Sequence, residues 1–229
     1  MAIFRRYGVG AKFYDVLSGE RFVYRAGRVA GIRALAPARG DVVLDLGCGT
    51  GLNFSLLVDA VGPEGAVIGL DASPDMLAMA RARIDRAGWR NVAVAVADAT
   101  AFDPDVVAHA LEGAHRSRVR PDDDPATTPP DRPVDGVIST YAMSIFGDWP
   151  AAWTRVRAVL RPGGSAAIVD MHVPVGRAAV FGPLARLAAA TGGADLTARP
   201  WEAVERDGVN VRSVSVRGGH IQVRAAVIP

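Results

Sequence analysis

Gly47, Gly49 and Gly51 stand at alternate positions in VLDLGCGTGLN (Val43–Asn53), after an apolar run and directly before a helical pattern. Glycine tolerates φ > 0 and lets a ligand lie against bare backbone. A helix starting near Gly51 offers unpaired N–H groups and a partial positive charge. Two ligand types suit such a site: a pyrophosphate, or a zwitterionic amino-acid tail carried by a nucleoside. The spacing is G-x-G-x-G, and Leu52 takes the place of the last glycine in the dinucleotide fingerprint. Asp45 stands two residues ahead of the first glycine. Its carboxylate would repel a pyrophosphate and attract an ammonium group, directly or through water.

Two more carboxylates fall at matching places. Asp71 closes VIGLDAS, about 20 residues beyond the loop, where a carboxylate can accept from both ribose hydroxyls. It could also cap the helix that follows, although Ser73-Pro74 already fills that role. Asp98 ends VAVADATAF. There a carboxylate can accept from an adenine amino group while the Ala99 N–H donates to a ring nitrogen, or Asp98 simply forms a turn.

These residues need a parallel sheet to bring them to one edge. Val42–Leu46, Ala66–Leu70, Val92–Ala97, Val134–Ser139 and Ala166–Asp170 read as buried strands. Leu52–Val61, Pro74–Ala87, Asp103–Glu112 and Trp149–Leu160 read as the helices between them. Strand and helix in alternation give an α/β fold with helices on both faces, and ligands bind at the C-terminal edge of such sheets. Val209–Val216 and His220–Ile228 flank Arg217-Gly218-Gly219 and read as an antiparallel hairpin. Phe4–Leu35 reads as an N-terminal helical cap, so residues 1–38 are separated from a main unit at 39–229. The Pro- and Asp-rich stretch 116–133 reads as a loop insertion.

Composition narrows the class. Of the 229 residues half are hydrophobic, and the net charge is +2. The arginines are scattered and Lys12 is the only lysine, so no basic stripe points to nucleic acid. Cys48 is the single cysteine, which fits a reducing, cytoplasmic setting. The N-terminus has no apolar h-region, and no uninterrupted apolar run reaches about 18 residues. No metal-ligand spacing exists among Cys48 and the histidines.

VLDLGCGTG, VIGLDASPDMLAMAR, the Asp98 strand end, DGVISTYAMS (Asp135–Ser144) and LRPGGSAAIVD (Leu160–Asp170) together resemble class I S-adenosylmethionine (SAM)-dependent methyltransferases. YDVLSGERFVYRAGR (Tyr14–Arg28) resembles the ubiquinone/menaquinone and phospholipid-amine methyltransferase branch. The resemblance implies a Rossmann-like three-layer sandwich whose seven strands run 3-2-1-4-5-7-6, with strand 7 antiparallel. It implies SAM as cofactor. Gly47, Cys48 and Gly49 would face its methionine part, with Asp45 near the ammonium, and Gly51 would belong to the same cofactor-binding loop. Asp71, with Ala72 beside it, would hold the ribose; Met76 would pack on the adenine, and Asp98 and Ala99 would bind its edge. Thr140 and Tyr141 would stand close to the sulfonium, with Tyr24 of the cap nearby.

For the acceptor site the candidates are His172, His220, Tyr14 and Tyr141. Topology puts both histidines at the cofactor edge, as general bases, acceptor ligands or polar rim residues. The expected acceptor is a small molecule or a lipid headgroup, receiving the methyl at nitrogen. Arg5 and Arg6 within Ile3–Tyr7 suggest peripheral contact with an anionic membrane surface. Two alternatives keep the cofactor: an aminocarboxypropyl transferase, and a non-catalytic cofactor-binding module. A nicotinamide oxidoreductase fits worst, given the glycine spacing and Asp45.

Overall fold

Alternate residues of Val42–Leu46, the central strand β1, feed two different cores. Val42, Leu44 and Leu46 point to one, and Val43 to the other. A fully buried strand of this kind belongs inside a sheet covered on both faces. The computed structural model describes residues 24–116, 134–183, 186 and 193–229.

Helix α1 (Arg25–Leu35) precedes β1. Then come α2 (Phe54–Val61), β2 (Ala66–Asp71), α3 (Pro74–Ala87), β3 (Val92–Val96), α4 (Pro104–Arg116) and β4 (Val134–Thr140). The chain continues through α5 (Trp149–Val159), β5 (Leu160–Met171), α6 (Glu202–Asp207), β6 (Val209–Val216) and β7 (Ile221–Val227). The seven strands lie in the order β3-β2-β1-β4-β5-β7-β6. β1 to β5 are parallel, whereas β7 runs antiparallel to both β5 and β6.

One face is covered by α1, α2 and α3 through Ile32, Leu35, Phe54, Leu57 and Leu77. The other is covered by α4, α5 and α6, with Phe102, Leu111, Trp153 and Val204 in its core. The capping signals of α3 are realised at both ends. In α3, Ser73 caps the N-terminus by accepting from the Met76 N–H, Pro74 supplies the first turn, and Gly88 closes the helix at φ 68°. α1 lies on β4, β5 and β7 at very close range. A Cβ added at Gly31 would sit 2.3 Å from Val169 Cγ2, and one at Gly27 would sit 1.9 Å from the Tyr141 hydroxyl.

Several boundaries differ from the sequence expectation; α4, for one, runs on to Arg116 rather than ending at Glu112. β5 starts at Leu160 rather than Ala166, because Leu160 pairs with Val134 ahead of a register shift and the Pro-Gly-Gly stretch stays in the strand. α2 starts at Phe54 rather than Leu52, since Gly51 at φ 78° delays the helix. The hairpin turn takes in His220, and β7 begins at Ile221. Tyr14, Ile3–Tyr7 and residues 117–133 lie outside the described residues. Among the described residues no helix is long and apolar enough to cross a membrane, and no cluster of His, Cys, Asp and Glu could hold a metal ion.

Candidate active site

A cavity of about 390 Å³ opens at the C-terminal edge of the parallel strands, a size typical of small-molecule sites. It crosses the ends of β3, β2, β1 and β4 in sheet order. Asp98 and Ala99 follow β3, Asp71 ends β2, Gly47 to Gly49 follow β1, and Thr140 and Tyr141 end β4; all of them line it. Ala72 and Met76 complete the wall beside Asp71.

The glycine loop is shaped for a ligand. Gly47, Gly49 and Gly51 all have positive φ. Nothing lies within 4 Å of a Cβ placed on Gly49, so its open side faces the cavity. The Gly47 and Cys48 N–H groups both donate to the Leu70 carbonyl, which ties the loop to β2. Gly51 does not line the cavity; its N–H donates to the Cys48 carbonyl and makes the turn into α2. Burial, and after it the Asp45 and Asp71 carboxylates, push the Cys48 thiol well up, so it stays protonated and unreactive.

Asp71 accepts from the Gly49 N–H and the Ser73 N–H, each at 2.9 Å. Burial raises its pKa, and those backbone donors oppose the rise. Asp98 is exposed and turns back on its own loop, accepting from the Thr100 N–H at 2.8 Å and the Thr100 hydroxyl at 2.7 Å. The turn role of Asp98 is therefore realised, and the same residue also lines the cavity.

Asp45 lies beneath the cavity and not on its wall, with no exposed surface. Its Oδ1 accepts from Asn53 Nδ2 at 2.9 Å. Its Oδ2 is buried with no hydrogen-bond partner among the described residues. Burial pushes its carboxyl up to about 6, against the pull of Asn53 and Arg28.

Sequence reasoning missed Arg28 and Asn53. Arg28 sits one helical turn after Tyr24 and lines the cavity. It donates to Thr140 Oγ1 at 2.6 Å and to Asn53 Oδ1 at 3.2 Å, and its guanidinium lies 5.2 Å from the centre of the Tyr141 ring. Asn53 occupies the N-cap position of α2 yet makes no cap bond, because its side chain serves Asp45, Thr140 and Arg28 instead. In the sequence an asparagine at a helix start signals a cap, and only the structure shows that this one does not cap.

Tyr141 adopts φ 58°, an uncommon conformation for an aromatic residue, held by its N–H donating to the Val169 carbonyl at 2.7 Å. Its hydroxyl donates to the Tyr24 carbonyl at 2.8 Å, and the two rings meet edge to face at 4.9 Å. Tyr24 thus stands behind Tyr141 rather than on the wall. His220 lies behind Tyr24, with ring centres 6.4 Å apart. His172 packs edge-on against Trp201. Neither histidine lines the cavity: His220, in the turn Arg217–His220, stands behind Tyr24, and His172, after β5, packs on Trp201.

The comparisons with known proteins agree with this geometry. The family model described as methyltransferase domain matches residues 37–190. This chain belongs to that family. It is 30% identical over 170 residues to the aklanonic acid methyltransferase of a Streptomyces species, covering 73% of this chain and 63% of that protein. It is 32% identical over 166 residues to the 2-phytyl-1,4-naphtoquinone methyltransferase of Synechococcus elongatus, covering 72% of this chain and 61% of that protein. The matched region therefore spans less than two thirds of either relative. In fold, the methyltransferase domain is similar to a SAM-dependent methyltransferase from Aquifex aeolicus, with TM-score 0.64, 18% identity, and coverage of 96% of this chain and 98% of that one.

The residues present fit the family's cofactor, SAM. An orphaned buried carboxylate oxygen near the glycine loop and an arginine beside it match an amino acid's ammonium and carboxylate. An open glycine and two carboxylates on the neighbouring strand ends match a nucleoside.

Proposed function

We propose that this chain transfers the methyl group of SAM to a small-molecule or lipid-headgroup acceptor, with nitrogen as the receiving atom. The observation that carries the reading is the order of groups along the sheet edge. Asp98, Met76 and Asp71 come first, then the glycine loop over buried Asp45, then Arg28, Thr140 and Tyr141. That order suits adenine, ribose and methionine in turn.

In this reading Asp71 accepts from the ribose hydroxyls, and Asp98 and Ala99 pair with the adenine edge. Met76, buried at the start of α3, packs on the ring. Arg28 pairs with the methionine carboxylate, and Asp45 answers the ammonium through water or directly. When bound, SAM supplies an electrophilic methyl for in-line displacement. The protein's part is alignment, which contributes on the order of 7–11 kcal/mol. Tyr141, Thr140 and Arg28 present hydroxyl, phenol and guanidinium groups at that end of the cavity. A neutral amine brings its own lone pair and needs no base from the chain.

One observation favours a second reading for the acceptor. His220 Nδ1 lies 2.8 Å from the His172 carbonyl, and His172 Nδ1 lies 2.9 Å from the Val173 carbonyl. A carbonyl only accepts, so both rings carry hydrogen on Nδ1 and keep a lone pair on Nε2 when neutral. A base in that state, though off the cavity wall, suits a hydroxyl or carbon acceptor that extends past Tyr141 and must lose a proton.

Incubation with SAM and a panel of amine, hydroxyl and carbon acceptors, read by product mass, tests both. Methylation of amines alone supports the nitrogen reading. Methylation of hydroxyl or carbon acceptors that depends on His220 supports the second. Release of methylthioadenosine in place of S-adenosylhomocysteine would point to aminocarboxypropyl transfer instead.

A further inference from the structure

Asp170 is a carboxylate outside the cavity whose hydrogen bonds run to the loop that builds one of the cavity's walls. It has no exposed surface. Its Oδ2 accepts from the Ser144 N–H at 2.8 Å, and its Oδ1 from the Ser144 hydroxyl at 2.7 Å and the Met171 N–H at 2.8 Å. Ser144 is buried in the short 3-10 turn Met143–Ile145. On either side of that turn, Thr140 to Ala142 and Ile145 to Asp148 line the cavity. The Ser144 carbonyl in turn accepts from the Asp195 N–H at 3.0 Å.

The position of this loop matters at the glycine loop opposite. A Cβ on Gly47 would lie 2.5 Å from the Ala142 Cβ and 3.2 Å from Phe146 Cζ, so wall and glycine loop are already in contact. Burial pushes the Asp170 carboxyl up to about 6, so its charge is held in the interior against its own solvation. A neutral side chain would be the easier occupant of that site. Stability alone therefore does not account for an aspartate here, whereas two Ser144 donors gathered on a carboxylate that also accepts from the Met171 N–H of β5 tie the loop to the end of that strand.

We infer that Asp170 is a positioning residue for the cofactor, setting the wall Tyr141–Asp148 against the glycine loop through Ser144. The inference rests on the assignment of the cavity to SAM.

Titration calorimetry with S-adenosylhomocysteine on the full chain, paired with ligand-free melting at pH 8, tests it. Asp170→Asn places an N–H₂ group against the Ser144 N–H, and Ser144→Ala removes the hydroxyl donor. Each is expected to weaken S-adenosylhomocysteine binding at least about tenfold. The Asp170→Asn melting temperature is expected not to fall. Amides of Tyr141–Asp148 should exchange faster in both variants while those of β1 and β2 do not change. Affinity within about twofold of wild type in both variants, or losses that only follow a falling melting temperature, would overturn the inference. Should Asp170→Asn not fold, Ser144→Ala decides by the same criteria. A wild-type protein that does not bind S-adenosylhomocysteine would overturn the cofactor assignment, and this inference with it.

Discussion

Arg28 of α1 donates to Thr140 at the end of β4 across 2.6 Å, which places a cation from the N-terminal helix inside the cavity formed by the sheet. In the proposed reading, cofactor binding and the docking of α1 are thereby tied together. Arg28→Ala is expected to weaken S-adenosylhomocysteine binding by roughly 10- to 100-fold, the loss of one charge-assisted pair. Arg28→Lys should recover only part of that, because an ammonium cannot serve Thr140, Asn53 and a carboxylate in one plane. Calorimetry on the two variants checks this, and wild-type affinity in Arg28→Ala would remove the carboxylate assignment.

Asp71→Ala should weaken cofactor binding by about tenfold or more through the lost ribose acceptor. Because Asp71 also holds the Gly49 and Ser73 N–H groups, its loss should lower the ligand-free melting temperature as well. A drop in melting temperature with unchanged affinity would leave Asp71 as a loop anchor only.

Asp45 carries a pH signature. Its folded value, about 6, lies above the ordinary 3.8, so the folded state holds this proton more tightly than the unfolded chain. The stability tied to that proton is full below about pH 4 and is lost as pH rises through about 6, amounting to about 3 kcal/mol. Asp170 has the same sign over the same window. Asp45→Asn, neutral at every pH, should therefore show a higher urea midpoint than wild type at pH 8 and a smaller difference at pH 5, while losing S-adenosylhomocysteine binding. A lower midpoint at pH 8 would contradict the sign.

The two glycines of α1 should fail differently. Gly31→Ala meets Val169 Cγ2 in the buried core and should destabilise the fold by about 1–3 kcal/mol. Gly27→Ala meets the Tyr141 hydroxyl and should displace that ring, lowering turnover more than stability. Equal melting curves for the two variants would contradict this difference.

His220→Asn separates structure from catalysis. The asparagine amide can still donate to the His172 carbonyl, but the Nε2 lone pair is gone. If His220 is a base, the variant should melt like wild type and lose turnover on hydroxyl or carbon acceptors by about 10²-fold or more. If His220 only braces the turn, His220→Asn should retain turnover and His220→Ala should lose stability.

Much of this architecture was legible beforehand. The strand order followed from the resemblance, and the antiparallel β7 was also read from Gly218-Gly219 between two alternating runs. The cavity wall at Gly47, Asp71 and Asp98 was legible because each residue ends or closely follows a strand of the parallel sheet, although β3, at the sheet edge, is only half-buried. Arg28 was not, because its role arises only when Gly27 and Gly31 let α1 approach β4 and β5. The Asp170–Ser144 contact was equally hidden, since it joins the end of β5 to the loop after β4 and leaves no local periodicity. The histidines were expected at the cofactor edge, but neither lines the cavity, since His220 lies in the hairpin turn behind Tyr24 and His172 packs on Trp201.

The central claim is that this cavity holds SAM, and a thermal-shift comparison of S-adenosylhomocysteine with NAD tests it most directly. At about a hundredfold above its dissociation constant, the true ligand adds roughly 2.7 kcal/mol of stability, a rise of about 5–10 °C for a chain of this size. The account predicts that rise with S-adenosylhomocysteine and none with NAD. A rise with NAD alone would contradict it, since Asp45 would then lie beneath a pyrophosphate.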